Sequence, residues 1–475
     1  MVIILFALLF ALAARVPVDT DTWWHLRSGE YTLTRGMIHA DPFSHSMAGE
    51  RWINHSWGAQ IILYLVWQVG GMLGLAVYMA GLATAGMVFL YKMCSGSSYL
   101  RAFALILGAA TAAVFWSPRP QMISFFLSAV VLYLIMHYKR DKVDRLWLIP
   151  ILMGVWGNLH AGFSIGFIFL GGAIAGETLG MLFAPNSEDR IGWRGVRKLV
   201  LIALLSAAAL VINPYGFDML LVPFQTVGIG ALRTYIQEWN SPNFQERQLL
   251  PFVALLIGVL GAAGASKRRL DWTDFVLVSG TAFMGLLAGR NVAVFAVAAT
   301  PVLTHHLDSI LSERGWTFKP MARATPLMAR LNLLLVIVVL IGAAAKVLVV
   351  LDEDTVDPVM RDMLPVAAVE YIRDNPPSGN MFNSYNWGGY LMYALPDVPV
   401  YVDGRTDLYG DAFLTSYLQA ATGADGWRET LDAYDIGFTV IESESGLARA
   451  LSDEPGWRLA YDDSMAAVFT REAGS

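Results

Sequence analysis

Long apolar segments restrict the fold of this chain more than any other feature. A window of about 19 residues, the length of helix that crosses a bilayer, finds eleven of them. They lie near residues 2–18, 71–91, 100–116, 121–138, 146–158, 162–183, 198–213, 249–265, 272–288, 291–307 and 331–351. Because 56% of the 475 residues are hydrophobic and only 15% are charged, a soluble globule of this size is excluded. The pattern predicts a mainly α fold, a polytopic transmembrane helical bundle with about eleven spans.

Lysine and arginine residues concentrate in alternate loops between these segments. The clusters are Lys139, Arg140, Lys142 and Arg145; Arg190, Arg194, Arg197 and Lys198; Lys267, Arg268 and Arg269; and Arg314, Lys319, Arg323 and Arg330. The positive-inside rule assigns such loops to the cytoplasm. We therefore expect a multi-pass protein of the cell membrane whose amino terminus is cytoplasmic and whose other loops are extracytoplasmic.

The apolar segment Ile61–Val69 tests this orientation. As a twelfth span it would reverse every later loop and place the basic clusters outside. Trp57 precedes the segment and Trp67 lies within it, and amphipathic indoles prefer the membrane interface. We therefore predict interfacial helices in the first outer loop, whose polar part covers residues 19–57, and we take this segment as one of them.

Polar motifs gather in the opposite set of loops. They are Asp19–His25, Ser117–Gln121, Gly157–His160, Asn213–Gly216, Glu238–Asn240 and Gly289–Asn291. The orientation rests on lysines and arginines of the other loops alone, so the common location of these motifs is independent evidence. The distribution predicts a single functional site at the extracytoplasmic face.

The composition changes after Lys346, where the acidic run Asp352–Asp354 opens a segment of ordinary soluble character. We expect residues 1–351 to form the transmembrane domain and residues 352–475 to form a small extracytoplasmic α/β domain. Its predicted elements are a helix over Pro365–Asn375, strands over Val398–Asp403 and Gly437–Ile441, and a hairpin made by Trp457–Tyr461 and Ala466–Thr470.

Two stretches of the carboxy-terminal segment have an unusual composition. Asn383–Tyr390 combines aromatic, amide and glycine residues, and Asp403–Asp407 is rich in charge. Such loops either face a carbohydrate or form turns packed on the membrane domain. The second interpretation is favoured here.

Asp19 and Asp21 follow the first apolar segment directly. Carboxylates at a lipid interface are costly, so a function is expected for them. Either the pair binds a divalent cation, Mg²⁺ or Mn²⁺, or one of them acts as a general base and no cofactor is used. In the alternative, Asp21 or Thr22 only caps the helix predicted to begin at Trp23.

Arg119 and Arg290 lie at the ends of spans that are distant in the sequence, and both spans are predicted to end at the outer surface. A guanidinium holds a phosphate through two parallel hydrogen bonds, so an anionic lipid headgroup is the expected ligand. The alternative is an arginine that extends to the headgroups of the bulk membrane.

Further candidates to line a substrate site lie in the other outer loops. Asn158 and His160 either hydrogen-bond a sugar or satisfy helix-end carbonyls. Glu238 is a candidate second acid or metal ligand, and Trp239 is a candidate stacking platform. His55 is also expected to line the substrate.

Several function classes are excluded or disfavoured by composition. The net charge of −6 and the absence of a basic face argue against nucleic acid as a partner. The single cysteine, Cys94, rules out an intrachain disulfide framework. Val2–Ala14 has the small residues of a signal-peptide cleavage region but no basic residues before it, so we favour a retained first span.

The first outer loop resembles that of the GT-C class of membrane glycosyltransferases. The residues that carry the resemblance are Asp19–Leu26, Asp41–Ser44 and Gly49–Trp57. The class includes oligosaccharyltransferases, protein O-mannosyltransferases and aminoarabinose transferases. The resemblance implies transfer of a sugar from a polyprenyl-phosphate or diphosphate carrier to a lipid, glycan or protein acceptor outside the membrane, with inversion at the anomeric carbon.

The resemblance also implies roles for residues of the first loop. In the class this loop carries an acidic residue that is essential for transfer, and Asp19 and Asp21 match the acidic pair there, as general base or metal ligand. Trp23, Trp24 and His25 would then line the donor, while Arg119 and Arg290 would suit its phosphate. The carboxy-terminal segment lacks the Trp-Trp-Asp-Tyr-Gly sequence of oligosaccharyltransferases, and the first outer loop lacks the Asp-Glu pair of O-mannosyltransferases, which leaves the acceptor open.

Three other functions compete with this prediction. A lipid-linked glycan ligase or polymerase would use arginine and histidine without an acidic base. A lipid or solute transporter would need charges near the membrane midplane and interrupted helices in corresponding halves. A non-catalytic scaffold would not explain why the polar motifs share one face.

Overall fold

A computed structural model describes residues 1–184, 190–230, 237–316 and 325–472. Of Gln237 it describes only the backbone. In chain order its α-helices are Val2–Ala13, Thr22–Arg35, Trp57–Met93, Ser98–Ala112, Gln121–Arg140, Leu148–Gly157, Ser164–Phe183, Gly192–Leu210, Asp218–Gly228, Leu250–Ala265, Trp272–Leu287, Val292–Glu313, Pro326–Val350, Glu353–Met363, Val366–Asp374, Tyr385–Ala394, Thr406–Ala421, Trp427–Ala433 and Gly446–Ser452. Short 3-10 helices are Ala113–Phe115, Ala161–Phe163, Gln237–Trp239, Arg247–Leu249 and Gly289–Asn291. The strands are β1 Asn380–Asn383, β2 Ile436–Glu442, β3 Trp457–Asp462 and β4 Ala466–Arg471.

Helices occupy every apolar segment predicted from the sequence. Within the described residues, seven helices are long and apolar enough to cross a membrane, and three shorter apolar helices accompany them. The chain is therefore a multi-pass membrane protein, as predicted. The shorter helices are Val2–Ala13, Leu148–Gly157 and Trp272–Leu287.

A break at Gly71 divides the long helix Trp57–Met93 in two. Gly71 has φ 50° and ψ −136°, a conformation that favours glycine over residues with a Cβ. The part before the break contains Ile61–Val69, and the part after it coincides with the predicted span 71–91. The backbone therefore separates the segment predicted to be interfacial from the span that follows.

Contacts divide the chain into two compact units. We name the first the helical unit; it comprises Met1–Arg15, Leu73–Leu220 and Ile236–Leu351. The second, the mixed unit, comprises Val16–Met72, Leu221–Tyr235 and Asp352–Ser475. The first outer loop thus groups with the carboxy-terminal residues. An independent domain over residues 352–475 stays a prediction.

Within the helical unit, helix Val292–Glu313 lies at the centre of the packing. It contacts Ser98–Ala112, Trp272–Leu287 and Leu250–Ala265, and its residues 292–306 are buried on every side. A helix that is apolar all round requires such a position. Helix Pro326–Val350 is the opposite case, since only 6% of its apolar window is buried and the remainder is available to lipid.

Charged side chains also lie buried in the helical unit, at the end that the basic loops predict to be cytoplasmic. Lys139 forms ion pairs with Glu177 and with Asp271, the latter at 3.1 Å. Glu177 also accepts a hydrogen bond from Thr273 Oγ1 at 2.8 Å. The side chains of Lys139 and Glu177 are 4% and 2% exposed, so removing either one would leave a buried charge without its closest partner.

Replacing Glu177 with Ala is expected to destabilise the protein by about 3–5 kcal/mol, because Lys139 would lose its most buried partner. The matched control is Asp144→Ala, which removes the half-exposed partner of Lys198 and should cost about 1 kcal/mol or less. Thermal unfolding of the purified protein in detergent measures both. Equal midpoints for the two variants would show that the buried network does not stabilise the helices.

The mixed unit contains a four-stranded sheet with the order β1-β2-β4-β3 in the described part of the chain. β1 and β2 are parallel, while β4 is antiparallel to both of its neighbours. Helices cover the sheet over an aromatic core that includes Phe382, Tyr401, Tyr417, Trp427 and Phe469. The predicted helix over 365–375, the strand over 437–441 and the hairpin are all confirmed.

The strand predicted over Val398–Asp403 is wrong. Residues 400–403 are buried, but the segment forms only an isolated bridge, from Val400 to Ser44. Its backbone partners are Phe43 and His45, and the side chain of Asn383 accepts the Tyr401 N–H at 2.8 Å. These partners take the place of the hydrogen bonds that a neighbouring strand would make. The sheet instead begins with β1, which was not predicted from the sequence.

Candidate functional site

Two arginines that lie far apart in the sequence meet at one glutamate in the helical unit. Arg119 Nη2 donates to Glu238 Oε2 at 3.1 Å, and Arg290 Nη1 lies 3.6 Å from Glu238 Oε1. The guanidinium of Arg290 also lies over the ring of Trp239, 4.2 Å from its centroid. We name these four residues the arginine cluster. It unites three of the polar loop motifs.

Both arginines of the cluster stand beside helix amino termini. Arg119 precedes helix Gln121–Arg140, and Arg290 lies in the 3-10 helix that leads into Val292–Glu313. Unpaired N–H groups give a helix amino terminus a partial positive charge, which adds to the charge of a nearby arginine. The arrangement favours an anion at this place.

Neighbouring side chains orient Arg119. Ser117 Oγ accepts from Arg119 Nε and from Gln121 Nε2, each at 2.9 Å. Gln121 Nε2 also donates to the carbonyl of Phe115 at 2.9 Å. Ser117 and Gln121 belong to one of the polar outer-loop motifs, but this role was not predicted from the sequence.

Glu238 carries a negative charge at neutral pH. Burial raises the pKa of its carboxyl, but the guanidiniums of Arg119 and Arg290 outweigh this and hold the pKa below its ordinary value. The ion pairs therefore form fully above the ordinary glutamate pKa and are lost only as the pH falls through the lowered value.

Asn158 and His160 have partners within the helical unit. Asn158 Nδ2 donates to the carbonyls of Gly154 and Ile212 at 2.9 and 2.7 Å, so it satisfies carbonyls near helix ends. His160 Nδ1 lies 2.7 Å from Ser124 Oγ and accepts the Gly162 N–H at 3.1 Å. Sugar binding by either residue stays a prediction.

Asp19 and Asp21 form one turn at the start of helix Thr22–Arg35, in the mixed unit. Asp19 Oδ1 accepts the Asp21 N–H at 2.9 Å, and Asp21 Oδ1 accepts Trp24 Nε1–H at 3.1 Å. Asp21 occupies the N-cap position, but its side chain makes no capping hydrogen bond. The alternative that it serves only as a helix cap is therefore disfavoured.

The aromatic residues after Asp21 are buried in the mixed unit. Trp23 packs edge-on against Tyr390 and Trp67, with ring centroids 5.3 and 5.7 Å apart. Trp24 and His25 are buried as well, and His25 Nδ1 accepts from Gln60 Nε2 at 3.2 Å. Contact of Trp23, Trp24 and His25 with a donor stays a prediction.

His55, which was expected to line the substrate, lies in the first outer loop with its side chain partly exposed. Its Nδ1 atom lies 2.9 Å from the hydroxyl of the next residue, Ser56. The substrate-lining role of His55 stays a prediction.

A buried ion-pair cluster in the mixed unit was missed by the sequence analysis. Arg405 Nε and Nη2 donate to the two oxygens of Asp403 at 2.8 and 2.7 Å, and Nη1 donates to Asp41 Oδ1 at 2.5 Å. All three side chains are 0% exposed. Burial lowers the pKa of Arg405, but Asp403 and Asp41 outweigh it and raise that pKa. The signal in the sequence was the charged stretch 403–407, in which Asp403 and Arg405 are buried and Asp407 is exposed.

The described parts of the chain contain no group of three or more His, Cys, Asp or Glu side chains suited to a metal ion. Mg²⁺ often binds one or two carboxylates and takes its other ligands from water and substrate phosphate. Asp19 and Asp21 fit such a site, in which the ion would supply positive charge to a phosphate. A metal requirement stays a prediction.

No protein-family model matches this chain, and no curated protein sequence matches it. Solved structures do. The archaeal oligosaccharyltransferase AglB from Archaeoglobus fulgidus, in complex with an inhibitory peptide and a dolichol-phosphate, is similar over 99% of this chain and 74% of its own, with 12% identity and a TM-score of 0.56. ArnT from Cupriavidus metallidurans bound to undecaprenyl phosphate is similar over 100% and 98%, with 13% identity and a TM-score of 0.53.

The arabinofuranosyltransferase AftD from Mycobacteria gives a third comparison. It is similar over 100% of this chain and 40% of its own, with 14% identity and a TM-score of 0.52, so this chain spans less than half of AftD. Each similarity covers nearly all of the present chain, at identities that establish the fold alone. The chain has the GT-C fold, as the first outer loop predicted.

Proposed function

We propose that this protein is a membrane glycosyltransferase that moves a sugar from a polyprenyl-phosphate carrier to an acceptor at the extracytoplasmic face. The observation that carries the proposal is the arginine cluster, in which Arg119 and Arg290 converge from distant loops beside two helix amino termini. Such a concentration of positive charge at a loop surface of a GT-C fold suits the phosphate of a lipid carrier.

The carrier assignment also draws on the similar structures. AglB was solved with a dolichol-phosphate and ArnT with undecaprenyl phosphate, both of which are lipid phosphates. The fold shared with them supports the same class of donor for this chain. The positive-inside rule supports the proposed orientation, in which the outer loops and residues 352–475 are extracytoplasmic.

In the proposed reaction, Asp21 takes the proton from an acceptor hydroxyl. The acceptor oxygen forms a bond to the anomeric carbon, the bond from that carbon to the phosphate oxygen breaks, and the electron pair leaves with the lipid phosphate. Arg119 and Arg290 hold the phosphate and stabilise the charge that develops on it. Transfer therefore inverts the anomeric carbon.

Asp21 is chosen over Asp19 on local geometry. The Asp19 carboxylate accepts the Asp21 backbone N–H, as in a turn that an aspartate stabilises locally. The Asp21 carboxylate instead accepts a side-chain hydrogen bond from Trp24, which orients it without capping the helix. We assign Asp19 to ordering the turn, or to sharing a divalent cation with Asp21.

A donor panel tests the proposed function. The protein in lipid nanodiscs is incubated with polyprenyl-phosphate mannose, glucose, galactose, arabinose and ribose, with and without EDTA, and released polyprenyl phosphate is measured. We expect release from one donor, and its loss in Asp21→Asn but not in the exposed control Asp397→Asn. No release across the panel would contradict the proposal. Release that survives Asp21→Asn would favour a ligase or polymerase without an acidic base.

A further inference from the structure

The turn Asp403–Arg405 lies directly against the proposed base. A Cβ atom added to Gly404 would lie 2.1 Å from Asp21 Oδ1 and 3.0 Å from Trp24 Nε1. Only glycine leaves room at this point for the carboxylate and for the indole N–H that it accepts. The backbone of Gly404 therefore limits where the Asp21 carboxylate can lie.

The turn itself is held on both sides of Gly404. Asp403 accepts from the Arg405 backbone and guanidinium, and its Oδ2 also accepts from Tyr409 Oη at 2.9 Å. Arg405 reaches Asp41 in the first outer loop, and its guanidinium lies 4.9 Å from the centroid of the Trp52 ring. A buried guanidinium that is paired with two carboxylates is costly to displace, so the turn is the fixed partner and the Asp21 side chain is the movable one.

A second contact supports the same segment. A Cβ atom on Gly389 would lie 2.9 Å from the carbonyl oxygen of Thr20 and 3.1 Å from Trp24 Cδ1. Gly389 belongs to helix Tyr385–Ala394, so both unusual stretches of the carboxy-terminal segment contact the loop that carries Asp21. Gly389 and Gly404 are explained by this close approach rather than by an exposed carbohydrate surface.

We propose that the turn Asp403–Arg405 positions Asp21 for catalysis, with Gly404 as the positioning residue and Arg405 as the group that fixes the turn. The inference rests on the proposed function, because it assumes that Asp21 is the base. The carboxy-terminal segment then contributes to the reaction through Asp21, and not through contact with the substrate.

Gly404→Ala is the direct test. The backbone of Gly404 is outside the left-handed region, so alanine is compatible with the turn, and its methyl group displaces the end of a flexible side chain. A misplacement of about 1 Å can cost 10²-fold in rate. We expect kcat to fall roughly 10–100-fold, with KM for the polyprenyl-phosphate sugar and the thermal unfolding midpoint unchanged. Gly230→Ala is the matched control, since its Cβ would meet only ordinary contacts, 3.5 Å from Asp411.

A double-mutant cycle shows whether Gly404 acts through Asp21. In the Asp21→Asn background, Gly404→Ala should cause no further loss of kcat. An equal loss in both backgrounds, or wild-type kcat in Gly404→Ala, would overturn the inference. If Gly404→Ala lowers the unfolding midpoint, Trp24→Phe replaces it in the same cycle, because this substitution removes the hydrogen-bond donor to Asp21. The same two outcomes then apply. Full activity in Asp21→Asn alone would overturn the inference as well, because Asp21 would then not be the base, whereas the proposed function fails only if the wild-type protein releases no donor.

Discussion

Asp21→Asn is expected to lower kcat about 10²–10⁴-fold while KM for the lipid-linked donor changes only a few-fold. Asparagine has the size of aspartate, and its carbonyl oxygen can still accept the hydrogen bond from Trp24. The substitution therefore keeps the geometry of the turn and removes the basic group. Initial rates over a range of donor concentrations, measured in nanodiscs, separate kcat from KM.

Asp19→Asn gives the comparison that assigns the base. Its side-chain oxygen can still accept the Asp21 N–H, so the turn should remain ordered. If Asp19 only orders the turn, this variant keeps most of its activity. If the two carboxylates share a divalent cation, both variants lose activity and so does the EDTA-treated wild type. A large loss in Asp19→Asn with none in Asp21→Asn would contradict our assignment.

Replacing Arg119 or Arg290 with Gln is expected to raise KM for the donor and to lower kcat. A hydrogen bond to a charged group contributes about 1.5–3 kcal/mol, so each loss predicts roughly a 10–100-fold fall in kcat/KM. Part of the fall should appear in kcat, because the arginines also stabilise the departing phosphate. Lysine should rescue poorly, since a point charge does not replace a planar guanidinium. Steady-state kinetics with the active donor of the panel measures these effects.

Two controls separate phosphate binding from a structural role of the arginines. Arg247→Gln alters an exposed arginine of the helical unit and should leave kcat/KM unchanged. Glu238→Gln removes the shared partner of both guanidiniums but leaves their charge available to a phosphate. If Glu238→Gln raises KM as much as the arginine variants do, the arginines act by holding Glu238, and our assignment of the phosphate site fails.

The positions of the helices could be predicted from the sequence because of the chemistry of the lipid bilayer. A bilayer offers no hydrogen-bond partners, so a long apolar segment must satisfy its own backbone as a helix. For this reason the segments near 121–138 and 291–307 appear as Gln121–Arg140 and Val292–Glu313 with nearly the expected bounds. The orientation, which follows from the distribution of lysine and arginine, stays a prediction.

Only part of the candidate site could be predicted from the sequence. Arg119, Glu238 and Arg290 were identified as outer-loop residues, but their shared ion pairs depend on how distant helices pack. Likewise, Asp403–Asp407 was recognised as unusual, whereas its partner Asp41 lies 364 residues from Arg405 and carried no signal of pairing. Charge pairing over such separations follows from chain topology, which residue patterns do not encode locally.

Local patterns by themselves determined that this chain is a multi-pass helical protein with polar motifs in alternate loops and a mixed α/β segment at its end. They failed at Val398–Asp403, whose apolar, β-branched composition suits a strand. Only the tertiary structure decided that Phe43, His45 and the side chain of Asn383 take its backbone hydrogen bonds. The physical reason is that hydrophobicity acts along a segment, whereas hydrogen-bond and ion-pair partners are chosen by which segments come together in space.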